Sequence, residues 1–403
     1  MSIAAARTTE TVDGSGTEST GALRAAPTAG VGAGVGLVAT RAARFDATDL
    51  AGPFALELGG ELRELTLAYE TYGVLNATRD NAILLIHALT GDAHAAGWHR
   101  PDDRKPGWWD PMIGPGRPLD TDRYFVVCAN ALGGCAGSTG PCTLDPDTGR
   151  PYGGRFPLVT VGDLVRAQRL LLDRLGVRRL AAVVGGSLGG MQALEWAVRY
   201  PDALERAVVI AAAGRLGPQG IALNEVGRRA IMLDPRWQDG DYPPGEGPSD
   251  GLAIARMVGT VTYHSRESMD LRFGRRPASR PPRYPAFGGA FDVEGYLHHQ
   301  GAALVARFDA HSYLRQTRAM DLYDVAAGHR SEEAALARVR ARVLALGIRT
   351  DWLFPPCEVQ ALAGALAAAG VQATYRELDS PHGHDAFLKE WALLDPLLRE
   401  FLD

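Results

Sequence analysis

Short, almost wholly apolar runs alternate with amphipathic stretches along most of the chain. The apolar runs lie at 65–69, 82–86, 124–129, 180–184, 207–212 and 343–348, and a further strand is predicted at the more polar run 374–378. Apolar residues recur at helical spacing in 164–175, 191–200 and 358–369. Continuous apolar strands separated by helices are typical of a parallel sheet that is covered on both faces. The pattern therefore predicts an α/β fold with a mostly parallel central sheet and helices on both faces.

Two segments depart from this pattern. Residues 1–45 are rich in Ala, Gly and Thr and contain few large apolar residues, which predicts a disordered tail. Residues 214–330 contain Pro- and Gly-rich pieces such as 241–249, and we expect them to form an inserted, largely helical lid domain. The core domain is then expected to consist of residues 46–213 and 331–403.

Composition and net charge argue against two classes of binding partner, nucleic acids and membranes. The 403 residues are 46% hydrophobic and 22% charged, with a formal net charge of -5. This balance gives no electrostatic reason to expect nucleic acid or an anionic membrane as a partner. No stretch approaches the ~20 apolar residues that cross a bilayer, so no membrane span is expected.

The cysteines indicate the compartment. The chain has four cysteines, and no two of them form a Cys-x-x-Cys pair; they are Cys128, Cys135, Cys142 and Cys357. We therefore expect no zinc or redox centre and no metal. A reduced, cytoplasmic location is the simplest interpretation.

A Gly-x-Ser-x-Gly motif joins the run at 180–184 to the helical stretch at 191–200, with Ser187 at its centre. An incidental serine in a glycine-rich turn would look similar, because the bare motif is short. Placement between a buried strand and a helix, however, is the context in which the serine stands on a tight turn as a nucleophile. The sequence therefore predicts Ser187 as the nucleophile of an α/β-hydrolase fold.

A serine nucleophile needs a base and an acid, which follow it along the chain on this fold. Asp351 comes just after the run at 343–348, and His384 comes just after the run at 374–378. His382 competes with His384, and Asp379 and Asp385 lie nearby. We favour Asp351 as the acid and His384 as the base.

Two backbone N–H groups should stabilise the oxyanion. One is expected from Leu188, directly after the nucleophile, and the other from the loop at 87–91 that follows the second apolar run. His87 in that loop is interpreted as structural rather than catalytic.

Longer runs carry a family resemblance from about residue 54 to the C-terminus. They are 87–92 (HALTGD), 107–116 (GWWDPMIGPG), 132–141 (LGGCAGSTGP), 185–196 (GGSLGGMQALEW), 251–257 (GLAIARM), 351–355 (DWLFP) and 383–388 (GHDAFL). With them, the chain resembles the homoserine O-acetyltransferases, a branch of the α/β-hydrolase fold.

The resemblance implies site residues. It implies the triad Ser187, Asp351 and His384, and oxyanion donors at Leu89 and Leu188. It further implies that Arg256 binds the carboxylate of homoserine with help from Tyr263, and that Asp385 binds the amino group.

The resemblance also implies a reaction. Ser187 would take an acetyl group from the co-substrate acetyl-CoA, and L-homoserine would then accept it, with no further cofactor. Such proteins are commonly homodimers and act in methionine biosynthesis. An esterase using the same triad, a serine acceptor and a non-catalytic binding protein are the other interpretations.

The prediction of the acyl donor depends on a few individual residues. Thr90 and Thr139 resemble the residues at the same positions of the motifs in the acetyl-transferring branch of the family. In contrast, 103–110 (DRKPGWWD) and Leu188 also resemble succinyl-transferring relatives, in which Arg104 or Lys105 could pair with the distal carboxylate. We expect acetyl-CoA.

Overall fold

The computed structural model describes residues 34–46, 48–50, 52–243, 245–279 and 288–403. The strands are β1 (Arg41–Phe45), β2 (Phe54–Ala55), β3 (Glu61–Leu62), β4 (Leu65–Tyr72), β5 (Ala82–Ile86), β6 (Ile113–Gly114), β7 (Leu119–Asp120), β8 (Phe125–Ala129), β9 (Leu180–Gly186), β10 (Arg206–Ile210), β11 (Arg342–Ile348) and β12 (Ala373–Leu378). The helices are α1 (Val161–Arg174), α2 (Leu188–Arg199), α3 (Pro218–Leu233), α4 (Ser249–Tyr263), α5 (Arg266–Arg272), α6 (Asp292–Val305), α7 (Ala310–Leu322), α8 (Glu332–Leu336), α9 (Pro356–Ala368) and α10 (Trp391–Leu402).

An eight-stranded sheet forms the centre of the molecule in the order β1-β4-β8-β5-β9-β10-β11-β12. The pairs β1–β4 and β4–β8 are antiparallel, and the pairs from β8 to β12 are parallel. Strands β5 and β9 are buried along their whole length because their residues are almost all apolar or glycine. The predicted α/β class with a mostly parallel sheet is confirmed.

The carboxyl ends of the parallel strands position the chemistry. Strand β9 leads into Ser187, β11 leads to Asp351, β12 leads to His384, and β5 leads to the loop with Leu89. Parallel strands all end at one edge of a sheet, so these residues share that edge.

Helices α3 to α8 lie between β10 and β11; α3 to α7 fall within the insertion predicted at 214–330, and α8 follows it. Helix α4 packs against α3 and α6, and α3 also contacts α7. Several of these helices begin at a residue whose side chain accepts a hydrogen bond from the first turn, as Asp309 does for α7 and Ser331 for α8. Such caps satisfy backbone N–H groups that a helix leaves unpaired.

The N-terminal boundary at residue 45 was predicted wrongly. Residues 41–45 form β1, in which Ala43 faces Leu67 and Phe45 faces Leu65 across the strand pair. Farther towards the N-terminus, the Val38 N–H donates to the carbonyl of Trp98 at 2.8 Å. With only two buried side chains in the strand, the apolar pattern of RAARF is weak. Residues 34–40 of the predicted tail are described and precede β1, and residues 1–33 lie outside the described residues.

A helix that could cross a bilayer requires a long apolar stretch, and none of the helices in the described ranges has one.

Candidate active site

Ser187 stands on a strained turn between β9 and α2. Its backbone angles are φ 58° and ψ −124°, a conformation that residues with a side chain rarely adopt. Its N–H donates to the carbonyl of Ile210 at 2.9 Å, and its own carbonyl accepts from the Met191 N–H at 3.0 Å. Both ends of the peptide are therefore fixed, and the hydroxyl is held at the edge of the sheet.

The glycines of the motif allow α2 to approach the sheet. A Cβ on Gly189 would lie 2.3 Å from the carbonyl oxygen of Ile86, and one on Gly185 would lie 2.2 Å from the carbonyl oxygen of Gly189. Both distances are shorter than any real Cβ contact, so a side chain at either position would push the helix away. This close approach is the physical reason for the Gly-x-Ser-x-Gly spacing.

Asp351 and His384 form a buried pair. The Nδ1–H group of His384 donates to Asp351 Oδ2 at 2.7 Å, and both residues are buried. Asp351 Oδ1 accepts from the N–H groups of Leu353 at 2.9 Å and Phe354 at 3.1 Å. With Nδ1 protonated, the other nitrogen carries the lone pair, and His384 Nε2 has no hydrogen-bond partner within the described residues.

Charge around His384 determines its protonation. Burial is the largest single influence and lowers the pKa of His384. The charge and hydrogen bond of the neighbouring Asp351 carboxylate raise the pKa, and the charge of Asp385 raises it too. Together they outweigh burial, so the net pKa is above the ordinary imidazole value. The pair thus favours the imidazolium that forms when the histidine accepts a proton.

Gly383 separates the two candidate histidines. Its φ is +69°, and a Cβ there would lie 2.5 Å from the Ser265 nitrogen, so the backbone turn requires glycine. His384 follows the turn into the cavity that Ser187 lines. His382 instead lies 3.4 Å from the Ser268 hydroxyl and 3.5 Å from the Glu390 carboxylate, and does not line that cavity.

His87 organises the loop that follows β5. Its Nδ1–H donates to the carbonyl of Ala88 at 2.7 Å, and its Nε2 accepts from the Ala131 N–H at 3.0 Å. Burial lowers the pKa of His87, so the ring is neutral. These contacts are those of a structural histidine.

The two predicted oxyanion residues flank the serine. Leu89 lines the cavity with Ser187, and Leu188 is the first residue of α2. Neither backbone N–H donates a hydrogen bond to another described residue. A free N–H at a helix N-terminus beside the nucleophile is suited to a developing negative charge.

The three predicted substrate residues share this cavity, whose volume is about 190 Å³. The guanidinium of Arg256 lies 5.6 Å from the centre of the Tyr263 ring, and one of its nitrogens is 3.5 Å from Gln300 Oε1. The Asp385 carboxylate lies 3.4 Å from the Lys389 ammonium. The walls therefore carry a cation and an anion close to the serine and histidine.

Arg307 and Trp108 also line the cavity and were missed from the sequence. Arg307 donates to the carbonyl of Thr90 at 2.7 Å, within the loop that holds Leu89. It lies in the insertion outside every motif run, so no local signal identified it. Trp108 donates to the carbonyl of Asp92 at 3.0 Å, and its place in the run 107–116 was the available signal.

Comparisons with known proteins identify the family and the fold. The sequence model of the alpha/beta hydrolase fold matches residues 81–390. The homoserine O-acetyltransferase of Symbiobacterium thermophilum is 57% identical over 351 residues, which cover 87% of this chain and 92% of that protein. The crystal structure of homoserine O-acetyltransferase from Bacillus anthracis has a TM-score of 0.84 at 30% identity, covering 91% of this chain and 98% of that one.

A solved hydrolase is similar as well. The structure of esterase E22 has a TM-score of 0.83 at 30% identity, covering 91% of this chain and all of that one (100%). The sequence identity is 57% to the transferase and 30% to the esterase, and this difference decides the assignment: this chain belongs to the homoserine O-acetyltransferases of the alpha/beta hydrolase fold.

Proposed function

We propose that the chain transfers an acetyl group from acetyl-CoA to the hydroxyl of L-homoserine through an acetyl-Ser187 intermediate. The observation that carries the proposal is one cavity that contains Ser187 and His384 together with the opposite charges of Arg256 and Asp385. The name of the relative from Symbiobacterium thermophilum supports the same activity.

In the first half-reaction the Ser187 hydroxyl attacks the thioester carbonyl of acetyl-CoA. Its proton passes to His384 Nε2, the nitrogen without a partner among the described residues. The N–H groups of Leu89 and Leu188 stabilise the oxyanion. When the carbon–sulfur bond breaks, the imidazolium returns the proton to the CoA sulfur, which leaves as the thiol.

In the second half-reaction homoserine binds where CoA has left. Arg256 pairs with its carboxylate and Asp385 pairs with its ammonium, which brings the side-chain hydroxyl to the acetyl-serine. Tyr263, whose ring lies beside Arg256, limits the position of that guanidinium. His384 takes the hydroxyl proton and returns it to Ser187 as the ester bond to serine breaks. The product is O-acetyl-L-homoserine.

An esterase is the second candidate, because the likeness to esterase E22 is nearly as close in structure. Release of CoA from acetyl-CoA should be measured with and without L-homoserine. We expect release to depend on homoserine and to yield O-acetylhomoserine in the mass spectrum. Equal release without an amino-acid acceptor would contradict the transferase proposal and support hydrolysis.

The small recess beside Ser187 supports an acetyl donor. A recess of about 20 Å³ adjoins Ser187 and is lined mostly by apolar side chains, among them Leu216, Leu223 and Met320, with Asn224 and Thr262 as polar neighbours. A methyl group suits such a wall, whereas a buried carboxylate requires a cation or several donors. Arg104 and Lys105, the cations considered from the sequence, do not line the cavity.

Arg307 is the observation that favours a succinyl donor, since it is a second cation in the cavity. One of its N–H groups is already used by the Thr90 carbonyl. Acetyl-CoA and succinyl-CoA should be compared at equal concentration, with L-homoserine and L-serine as acceptors. We expect the acetyl donor and homoserine to react fastest, and faster turnover of succinyl-CoA would overturn the choice of donor.

We also propose that residues 214–330 act as a lid and form the contact of a homodimer. Exposed apolar side chains on α3 to α5 support a covered surface there, namely Val226, Leu233, Ile254, Val261 and Leu271. Sedimentation equilibrium of the wild type and of Leu233→Glu would test the dimer, which the charged variant should weaken.

A cytoplasmic location is proposed from the cysteines. The four thiols are all free, and two of them are exposed, which suits a reducing compartment. Cell fractionation with an antibody to the chain would test the location.

A further inference from the structure

A buried carboxylate and two histidines converge beside the loop that follows β5. Glu70 in β4 is fully buried. The Nδ1 atom of His94 lies 3.0 Å from Glu70 Oε2, and the Nε2 atom of His99 lies 2.6 Å from Glu70 Oε1. The two imidazole rings are 3.8 Å apart between centroids. One nitrogen of each ring and the carboxylate oxygens therefore meet in a small volume.

Other contacts hold the Glu70 carboxylate and the backbone of the two histidines in place. The hydroxyls of Thr40 and Tyr72 each donate to the Glu70 carboxylate at 2.8 Å. The backbone N–H of His94 donates to Asp92 at 3.0 Å, and that of His99 donates to Asp103 at 3.1 Å. Metal ligands in proteins are commonly oriented by a surrounding set of hydrogen bonds of this kind.

We propose that Glu70, His94 and His99 bind a divalent transition-metal ion, with Zn²⁺ as the ion that best fits two imidazoles and one carboxylate. Their ligand atoms all lie within 4.8 Å of one another, and within the described ranges no other group of three such residues does so. Zn–N and Zn–O bonds of about 2.0–2.1 Å give tetrahedron edges of about 3.3 Å, so small side-chain rotations would admit the ion.

Metal binding requires that each histidine lose the proton from the nitrogen that binds the ion. Each imidazole turns an N–H towards Glu70; metal binding displaces that proton, to the other ring nitrogen or to solvent, and each ring then carries a proton only on its other nitrogen. The Thr40 hydroxyl, 3.3 Å from His99 Nε2, or a water molecule would supply the fourth ligand. The His99 side chain is 41% exposed, which gives the ion a route from solvent.

The position indicates a structural ion rather than a catalytic one. Glu70, His94 and His99 do not line the cavity with Ser187. Instead, with Thr40, they join three parts of the chain: the residues before β1, strand β4, and the loop after β5 that contains Leu89. A bound ion would cross-link these segments and stabilise the folded state. The expectation of no metal rested on the missing Cys-x-x-Cys pair, which excludes only cysteine sites, and it therefore overlooked this cluster.

The test uses the full chain after chelation and dialysis. Zn²⁺ is titrated by isothermal calorimetry, melting temperature is measured with and without the ion, and Co²⁺ is substituted to record its visible absorption. We expect one ion per chain, a higher melting temperature and a tetrahedral Co²⁺ spectrum. His99→Ala should weaken binding by at least about 10-fold, and His329→Ala, which removes an exposed histidine elsewhere, should bind as the wild type does.

Two results would overturn the proposal. One is no saturable uptake at a several-fold excess of Zn²⁺, which would leave the cluster as a closed hydrogen-bond network. The other is equal binding by the wild type and His99→Ala, which would place the ion elsewhere. His94→Gln is a second variant with the same expectation, but the half-exposed His99 is the safer site to change because its loss leaves little unpaired in the core.

Discussion

The catalytic edge of the sheet and the inserted helices contribute to the same cavity in different ways. At the edge, Ser187, Asp351 and His384 are fixed by backbone hydrogen bonds and by glycines without room for a side chain. From the insertion, Arg256 and Arg307 reach the cavity at the ends of long side chains, each with one side-chain hydrogen bond among the described residues.

This difference separates two functions. Groups held by the backbone are preorganised, as proton transfer and oxyanion stabilisation require. Groups that reach in on flexible arms add charge recognition, which binds ground state and transition state alike. Changes at the edge should therefore lower kcat, and changes in the insertion should chiefly raise KM for the acceptor.

The largest expected effect is that of Ser187→Ala. Without the nucleophile, kcat should fall by about 10⁴-fold or more. The wild type with acetyl-CoA alone should gain one acetyl group on the peptide that contains Ser187, measured by mass spectrometry, and the variant should gain none. An unchanged melting temperature would be the control for folding. An acetyl group found on a different residue would contradict the covalent role of Ser187.

The next effect distinguishes two histidines. His384→Ala should lower kcat by about 10³-fold or more, because it removes the base. His382→Ala is the matched control and should cost less than about 10-fold, since His382 lies outside the cavity. Steady-state kinetics of both variants would decide, and similar losses would leave the assignment of the base without support.

The same histidine gives a pH prediction. Transfer needs neutral His384, and its raised pKa means that the ring stays charged to a higher pH than free imidazole does. The rate should therefore rise with pH, with a midpoint above about 6.5. The free energy of unfolding should change with pH in the opposite direction. The ion pair of His384 with Asp351 stabilises the fold below the pKa of His384 in the unfolded chain, and this contribution is lost as pH rises through the pKa of His384 in the folded chain.

Much of the edge and the position of the insertion were predictable from sequence, whereas the contribution of Arg307 from the insertion was not. The strands β5 and β9 are continuous apolar runs, and the Ser187 turn is marked by glycines, so local pattern and local structure coincide. Arg307 depends on where α6 ends relative to the loop after β5, which is a long-range property without a local signature. For the same reason the Glu70 cluster, drawn from distant segments, left no motif.

A smaller effect is expected in the insertion. Arg256→Ala should raise KM for homoserine by about 10- to 150-fold, the range of a lost charge-assisted hydrogen bond of about 1.5–3 kcal/mol, and change KM for acetyl-CoA little. Arg229→Ala, an exposed arginine on α3, is the control. Equal changes for both substrates would show that Arg256 is structural.

The smallest effect is expected at the N-terminus. Deletion of residues 1–33 should change activity and melting temperature little, because the segment has few large apolar residues. Deletion of residues 1–45 removes β1 and should lower the melting temperature clearly. A large loss on the shorter deletion would show that residues 1–33 contribute to the fold.

The backbone at Ser187 has a consequence for evolution of the chain. A residue with a Cβ at φ 58° stores conformational energy of about 1–3 kcal/mol, which glycine would release. Ser187→Gly should therefore melt at a higher temperature than the wild type while losing activity. Selection for thermal stability alone would thus favour replacement of Ser187 by glycine. The serine is retained only where the reaction itself is under selection.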